Sequence, residues 1–221
     1  MEKVTSLEEI RNTAEQSGFF NYFSESILSY AQLHRFEANE FILYEGQNPD
    51  YLYFVAEGQA KAYITHSNGK VSLVNFLYAP CFIGEMELLN AKQKTVGIQA
   101  MVTLTCIALP MEQIRKTLLD DPVFLRGLCI YLSKKADNNS RIYTHNMAYP
   151  LENRLAKFIQ ITAHSGIYSE KHTEASEYLG VTYRHLLYVI ADFVKKGILQ
   201  KTIYGYRIIN IEALNGLASE N

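Results

Sequence analysis

Apolar positions change their period three times along the chain. Between residues 7 and 33, Ile10, Ala14, Phe19, Phe20, Phe23, Ile27 and Leu28 recur at helical spacing and predict one or two short helices broken at Gly18. From Phe36 the apolar runs shorten and become rich in β-branched and aromatic residues, at 40–44, 51–55, 60–64, 71–76, 95–101 and 104–109. Turn signals separate them at Glu45-Gly46-Gln47-Asn48-Pro49-Asp50, Glu57-Gly58 and Asn68-Gly69, the last a strong hairpin signal. Roughly six to eight short strands in so little chain are too many for one exposed sheet and predict a small barrel or sandwich.

After Pro110 the period turns helical. Residues 111–119 predict a short helix, and Asp120-Asp121-Pro122 restarts one, with an acidic first turn, that continues to about residue 148. Along it Cys129, Leu132, Ala136, Asn139 and Tyr143 fall at alternate steps of three and four, a heptad seam flanked by Leu125, Leu128 and Ile142. Such a seam predicts a symmetric partner helix, in which Asn139 would bond its own copy. Tyr149-Pro150 ends the helix. The expected organisation is a barrel with N-terminal helices over 1–120, a dimerisation helix and hinge over 121–149, and a third domain over 150–221.

That third domain reads as helix, helix, turn, helix, wing. Leu151, Leu155, Phe158, Ile159 and Thr162 mark its first helix, residues 173–179 its second, and Thr182 caps a third whose apolar face is Leu186, Val189, Ile190 and Phe193. Gly197 follows Lys195 and Lys196, and residues 198–202 and 206–210 then flank Ile203-Tyr204-Gly205 as a hairpin. Two short helices meeting across Gly180, with Ala175 allowing close approach and Leu179 and Val181 filling the angle, form a helix-turn-helix. Tyr183, Arg184 and Tyr188 lie opposite the anchors and are expected to meet base edges, Arg184 through its fork of donors. Lys171, His172, Thr173, Thr182 and His185 suit phosphate contacts. A ligand-binding regulatory module acting through protein partners is the alternative, and it leaves the wing unexplained.

Charge alone would not have suggested DNA. The net charge is −2, but residues 1–120 hold 9 Lys and Arg against 14 Asp and Glu, whereas the last hundred residues sum to +3. Three widely spaced cysteines in apolar runs, Cys81, Cys106 and Cys129, read as reduced and buried, without metal-ligand spacing. No apolar run is long enough to cross a membrane, and the N-terminus lacks a signal-peptide layout, so a cytoplasmic protein is expected.

From about residue 30 onward the chain resembles the cyclic-AMP receptor protein and fumarate–nitrate regulator (Crp/Fnr) superfamily of bacterial transcription factors, and its YeiL-like branch in particular. Glu45-Gly46, Glu57-Gly58, Gly69, Ile83-Gly84-Glu85 followed by Leu88-Leu89, the Pro122-led helix and the helix-turn-helix carry the resemblance. It implies an α+β protein: a jelly-roll (double-stranded β-helix) barrel of cyclic-nucleotide-binding type, a dimerisation helix and a winged helix-turn-helix. It also implies a homodimer on a palindromic operator, an effector at the barrel, and RNA polymerase as a partner if the protein activates. Gly84, Glu85, Lys94, Thr95 and Asn139 are the candidate effector-pocket residues.

Departures from the family pattern decide the ligand question. Cyclic-nucleotide-binding members follow Gly-Glu with an Arg-Ser/Thr pair gripping the cyclic phosphate, whereas this chain reads Lys94-Thr95, and lysine cannot reproduce that fork. An iron–sulfur cluster would need N-terminal cysteines, and residues 1–40 have none. His34 and His66 read as exposed polar residues rather than haem ligands. No metal site, no certain cofactor and no catalytic constellation is expected, since the barrel lacks the two-His-and-carboxylate set of oxygenases.

Overall fold

The computed structural model describes all residues except 25–26, 70 and 220–221. The chain forms two compact units, Met1–Lys134 and Lys135–Asn221.

The first unit begins with β1 (Glu2–Val4) and α1 (Leu7–Gln16), the latter capped by the Ser6 hydroxyl, which accepts from the Glu9 N–H. Short 3₁₀ turns at Phe19–Tyr22 and Leu28–Tyr30 follow. The strands are β2 (Gln32–Phe36), β3 (Phe41–Leu43), β4 (Tyr51–Glu57), β5 (Gln59–Thr65), β6 (Val71–Tyr78) and β7 (Cys81–Ile83). After α2 (Glu85–Leu89) come β8 (Gly97–Ala100) and β9 (Leu104–Pro110). They make an antiparallel sandwich of a five-stranded sheet, β1-β2-β9-β4-β7, and a four-stranded one, β3-β8-β5-β6.

The inner faces meet in a core of Phe36, Tyr53, Val55, Leu77, Ile83, Ile98 and Leu104. The other face of the five-stranded sheet is buried too. Phe54 and Phe82 pack there against Phe19 and Tyr22, while Phe23 stacks on Phe124 with centroids 5.5 Å apart. The N-terminal segment therefore covers the sandwich, each fully buried large side chain contributing about 1.5–3 kcal/mol.

Two helices complete this unit, α3 (Met111–Leu119) and the start of α4 (Pro122–Ala148). The Asp121 carboxylate caps α4, accepting from the Val123 N–H at 2.9 Å and the Phe124 N–H at 3.3 Å, and its second oxygen accepts from the Ser24 N–H. Burial works to raise its pKa, but those N–H donors outweigh burial and hold it low.

Three sequence expectations change. The helical stretch does not continue to Leu33, because residues 32–36 join the five-stranded sheet as β2. Cys81 and Cys106 are buried as expected, but Cys129 is exposed on α4. His34 is fully buried rather than exposed, since β2 is covered on both sides, whereas His66 is exposed and bonds Ser72 at 2.8 Å.

The second unit holds the rest of α4, α5 (Leu151–Thr162), β10 (Ile167–Tyr168), α6 (His172–Tyr178), α7 (Tyr183–Lys195), β11 (Leu199–Thr202), β12 (Gly205–Ile208) and α8 (Ile211–Ser219). Its core is Leu155, Phe158, Ala175, Leu179, Leu186, Val189, Phe193 and Leu214, each at most 1% exposed. Strands β10, β12 and β11 form one small sheet, and Asn153 ties α5 to α8 by donating to the Leu217 carbonyl.

Candidate nucleic-acid interface

The turn between α6 and α7 is fixed by its backbone. Gly180 takes a left-handed φ of 63°, its N–H donates to the Glu177 carbonyl, and the Val181 N–H donates to the Ser176 carbonyl at 2.9 Å. This is a Schellman ending, which a residue with a Cβ would strain. The Thr182 hydroxyl then caps α7, accepting from the His185 N–H at 3.2 Å. Arg154 adds a lock from α5 by donating to the Leu179 carbonyl.

With Leu186, Val189, Ile190 and Phe193 buried, the other side of α7 is presented outward. Tyr183 is 49% and Tyr188 72% exposed, and Arg184 and His185 are exposed beside them. Lys171, Thr173 and Thr182 are exposed as well, whereas His172 is half-buried. Lys171 pairs with Glu174 at 3.3 Å.

A cleft of about 550 Å³ opens between β10, the start of α6 and the β11–β12 wing. Gly205 lets the wing approach β10 closely: a Cβ there would sit 2.3 Å from the Tyr168 carbonyl oxygen. Lys201, Tyr168 and Tyr206 line the cleft beside Lys171 and His172. Sequence reasoning missed these three. Alternation along the hairpin placed Lys201 and Tyr206 on strands but held no sign that they face α6.

The barrel candidates are placed differently. Gly84 immediately precedes α2, and Glu85, at its first position, is 3% exposed. Lys94 is exposed, but Thr95 is buried and its hydroxyl, with one proton to share, lies 2.8 and 2.9 Å from the carbonyl oxygens of Tyr44 and Gln47. The Thr95 carbonyl also accepts from the Gly46 N–H, so this residue pins the Glu45-Gly46 loop. Asn139 is exposed on α4 within the second unit.

Sequence reasoning also missed Tyr131 on α4, which reaches the sandwich. Its hydroxyl oxygen accepts from the Phe82 N–H at 3.3 Å, and its pKa is pushed up, chiefly by burial and further by the charge of Glu85. Seam residues Cys129, Ala136, Asn139 and Tyr143 are exposed in the single chain, and Leu132 is half-buried.

Residues 33–121 match the model of the cyclic nucleotide-binding domain. The fold is that of Crp/Fnr-family structures from Eubacterium rectale (TM-score 0.75, 16% identity, covering 88% of this chain and 92% of that one) and from Thermus thermophilus (TM-score 0.67, 20% identity, 85% and 98%). The regulatory protein YeiL of Escherichia coli O157:H7 is 45% identical over 205 residues, 93% of this chain and 94% of that one. The chain belongs to the Crp/Fnr family of transcription regulators. As a Crp/Fnr protein it has the expected α+β architecture, and no helix among its described residues is long and apolar enough to cross a membrane. No described cluster of His, Cys, Asp and Glu could hold a metal ion.

Proposed function

We propose that this Crp/Fnr chain is a non-enzymatic, homodimeric, sequence-specific DNA-binding regulator controlled by an effector at its barrel. One observation carries the reading: α7 buries Leu186, Val189, Ile190 and Phe193 while presenting Tyr183, Arg184 and Tyr188 on an outward face at the start and middle of the helix. Aromatic and guanidinium groups exposed on the second helix of a helix-turn-helix suit base edges in a major groove. Lys171, Thr173, Thr182 and His185, exposed around them, suit flanking phosphates.

The seam on α4 supplies the second copy, and the Tyr149-Pro150 joint is where a change in helix pairing would reorient the heads. Domain limits at 120 and 149 follow from that division of labour. The effector is not a cyclic nucleotide, because Lys94 lacks the fork and the Thr95 hydroxyl is committed to backbone. RNA polymerase is a partner where the regulator activates.

Selection from a pool of random duplexes tests the reading. The expected product is a palindrome with half-site centres one helical turn, about 10 base pairs, apart. Failure to enrich any duplex would sink it and favour a module that acts through proteins.

A further inference from the structure

The cleft beside the wing carries more chemistry than a plain phosphate contact needs. His172 sits within it among three tyrosines: its ring centroid lies 5.7 Å from Tyr206, 6.2 Å from Tyr168 and 6.5 Å from Tyr183, nearly parallel to Tyr168. Lys201 on β11 faces the same space, with Lys171 and Glu170 on the loop before α6. Lys171 and Lys201 are balanced by Glu170 and by Glu174, which lies 3.3 Å from Lys171, so the cleft gains net positive charge when His172 is protonated. Tyr168 is fully buried, and its hydroxyl has no hydrogen-bond partner among the described residues.

We propose that this cleft seats one phosphate of the DNA backbone and that His172 takes up a proton as the phosphate arrives. The inference rests on the DNA-binding reading and adds a linkage to it. In the free protein, burial and then the Lys201 cation hold the His172 pKa below its ordinary value, so the ring is neutral near pH 7. A phosphate placed among Lys171, Lys201 and His172 reverses that balance, because an anion within a few ångströms favours imidazolium. The group thus has a lower pKa free than bound. Affinity therefore rises as pH falls through the interval between the two values and is flat outside it.

A phosphodiester and free phosphate share this chemistry. The duplex is favoured because Tyr183, on the reading helix, is part of the same wall.

The test uses the full-length protein and its selected duplex at constant ionic strength, from about pH 5.5 to 8, where histidine changes charge. Anisotropy titrations should give a log-affinity slope approaching one proton per reading head. His172→Gln should flatten that slope, while His66→Gln, at an exposed histidine of the barrel, should keep it. Lys201→Met should shift the interval to higher pH, since it removes the cation that opposes protonation. Independently of any variant, the imidazole resonances of wild-type His172 should show a higher pKa with duplex than without. Affinity independent of pH, or a slope that survives in His172→Gln, would overturn the proposal. A resonance shift produced equally by millimolar inorganic phosphate would also overturn it, by assigning the seat to the free anion. Wild-type protein that binds no duplex at any pH would instead sink the DNA reading itself.

Discussion

The winged helix-turn-helix head and the barrel use their polar residues in opposite ways. In the head, Tyr183, Arg184 and Tyr188 stand outward on a helix whose position is fixed by other residues, the buried Leu186, Val189 and Phe193. In the barrel, two of the candidate effector-pocket residues are enclosed by the fold: Thr95 holds the Tyr44 and Gln47 carbonyls, and Glu85 is buried. A surface helix separates scaffold from function by face, so substitution there can change recognition without changing stability. The barrel has no such separation, so a substitution at Thr95 or Glu85 disturbs structure along with any ligand contact.

The largest expected effect comes from the helix that both regions share. Leu132→Asp and Ala136→Glu place charge in the α4 seam and should yield monomers in sedimentation. Each monomer offers one head, so affinity for the palindrome should fall by at least about two orders of magnitude, the scale of lost avidity. If either variant remains dimeric with full affinity, the seam lies elsewhere.

A buried histidine extends the comparison to pH. His34 in β2 is 0% exposed, its Nε2 lies 3.2 Å from Gln32 Oε1, and its Nδ1 has no partner among the described residues. Burial, then the Lys3 cation, lower its pKa to about 4. The unfolded chain binds this proton near the ordinary value of about 6.5. Stability from this site is thus complete above that value and is lost as pH falls towards 4, by up to about 3 kcal/mol at 1.36 kcal/mol per unit. Urea unfolding at neutral and acid pH should show the loss in wild type and its reduction in His34→Phe. An unchanged acid dependence in the variant would move the effect to other groups.

That histidine also shows where the sequence is legible and where it is not. The helices α3, α4, α5 and α7 and the Gly180 turn can be read because their signals are local: a 3.6-residue period, a cap, a glycine. Strand β2 cannot, because its partner β9 lies some seventy residues away and pairs His34 with Cys106. Both faces of β2 are covered, so the alternation that would mark a half-buried strand vanishes. The short strands β1, β7 and β10 have too few residues to show a period, and Gly216 hides α8. The outward face of α7 is legible for the same reason as its buried one. The cleft formed with Lys201 and Tyr206 is not, since it depends on how the wing folds back.

Within the head, two substitutions separate base reading from phosphate contact. Arg184→Ala should cost about 1–3 kcal/mol on the cognate duplex and relax the preference at one symmetric position. Lys171→Ala should weaken all sequences about equally and lower the salt slope by about one. Titrations against single-base operator variants at two salt concentrations distinguish them. A uniform loss from Arg184→Ala with an unaltered sequence profile would remove Arg184 from the reading face.

The smallest effects belong to the barrel. Thr95→Val removes the hydroxyl that serves the Tyr44 and Gln47 carbonyls and should cost about 0.5–1.5 kcal/mol of stability, the net worth of an ordinary hydrogen bond. Cyclic AMP at millimolar concentration should leave the melting temperature of the wild type unchanged, whereas a ligand at 100 times its dissociation constant adds about 2.7 kcal/mol. Lys94→Arg sharpens the point by restoring the guanidinium fork at the position where the family's phosphate grip departs. If the missing fork were the only obstacle, this variant would gain a thermal shift with cyclic AMP. Because the neighbouring hydroxyl already serves two backbone carbonyls, the expected result is no shift in the variant either. A clear rise would show that Thr95 can release its carbonyls for a ligand, and the barrel would then keep its function as separable from its scaffold as the head does.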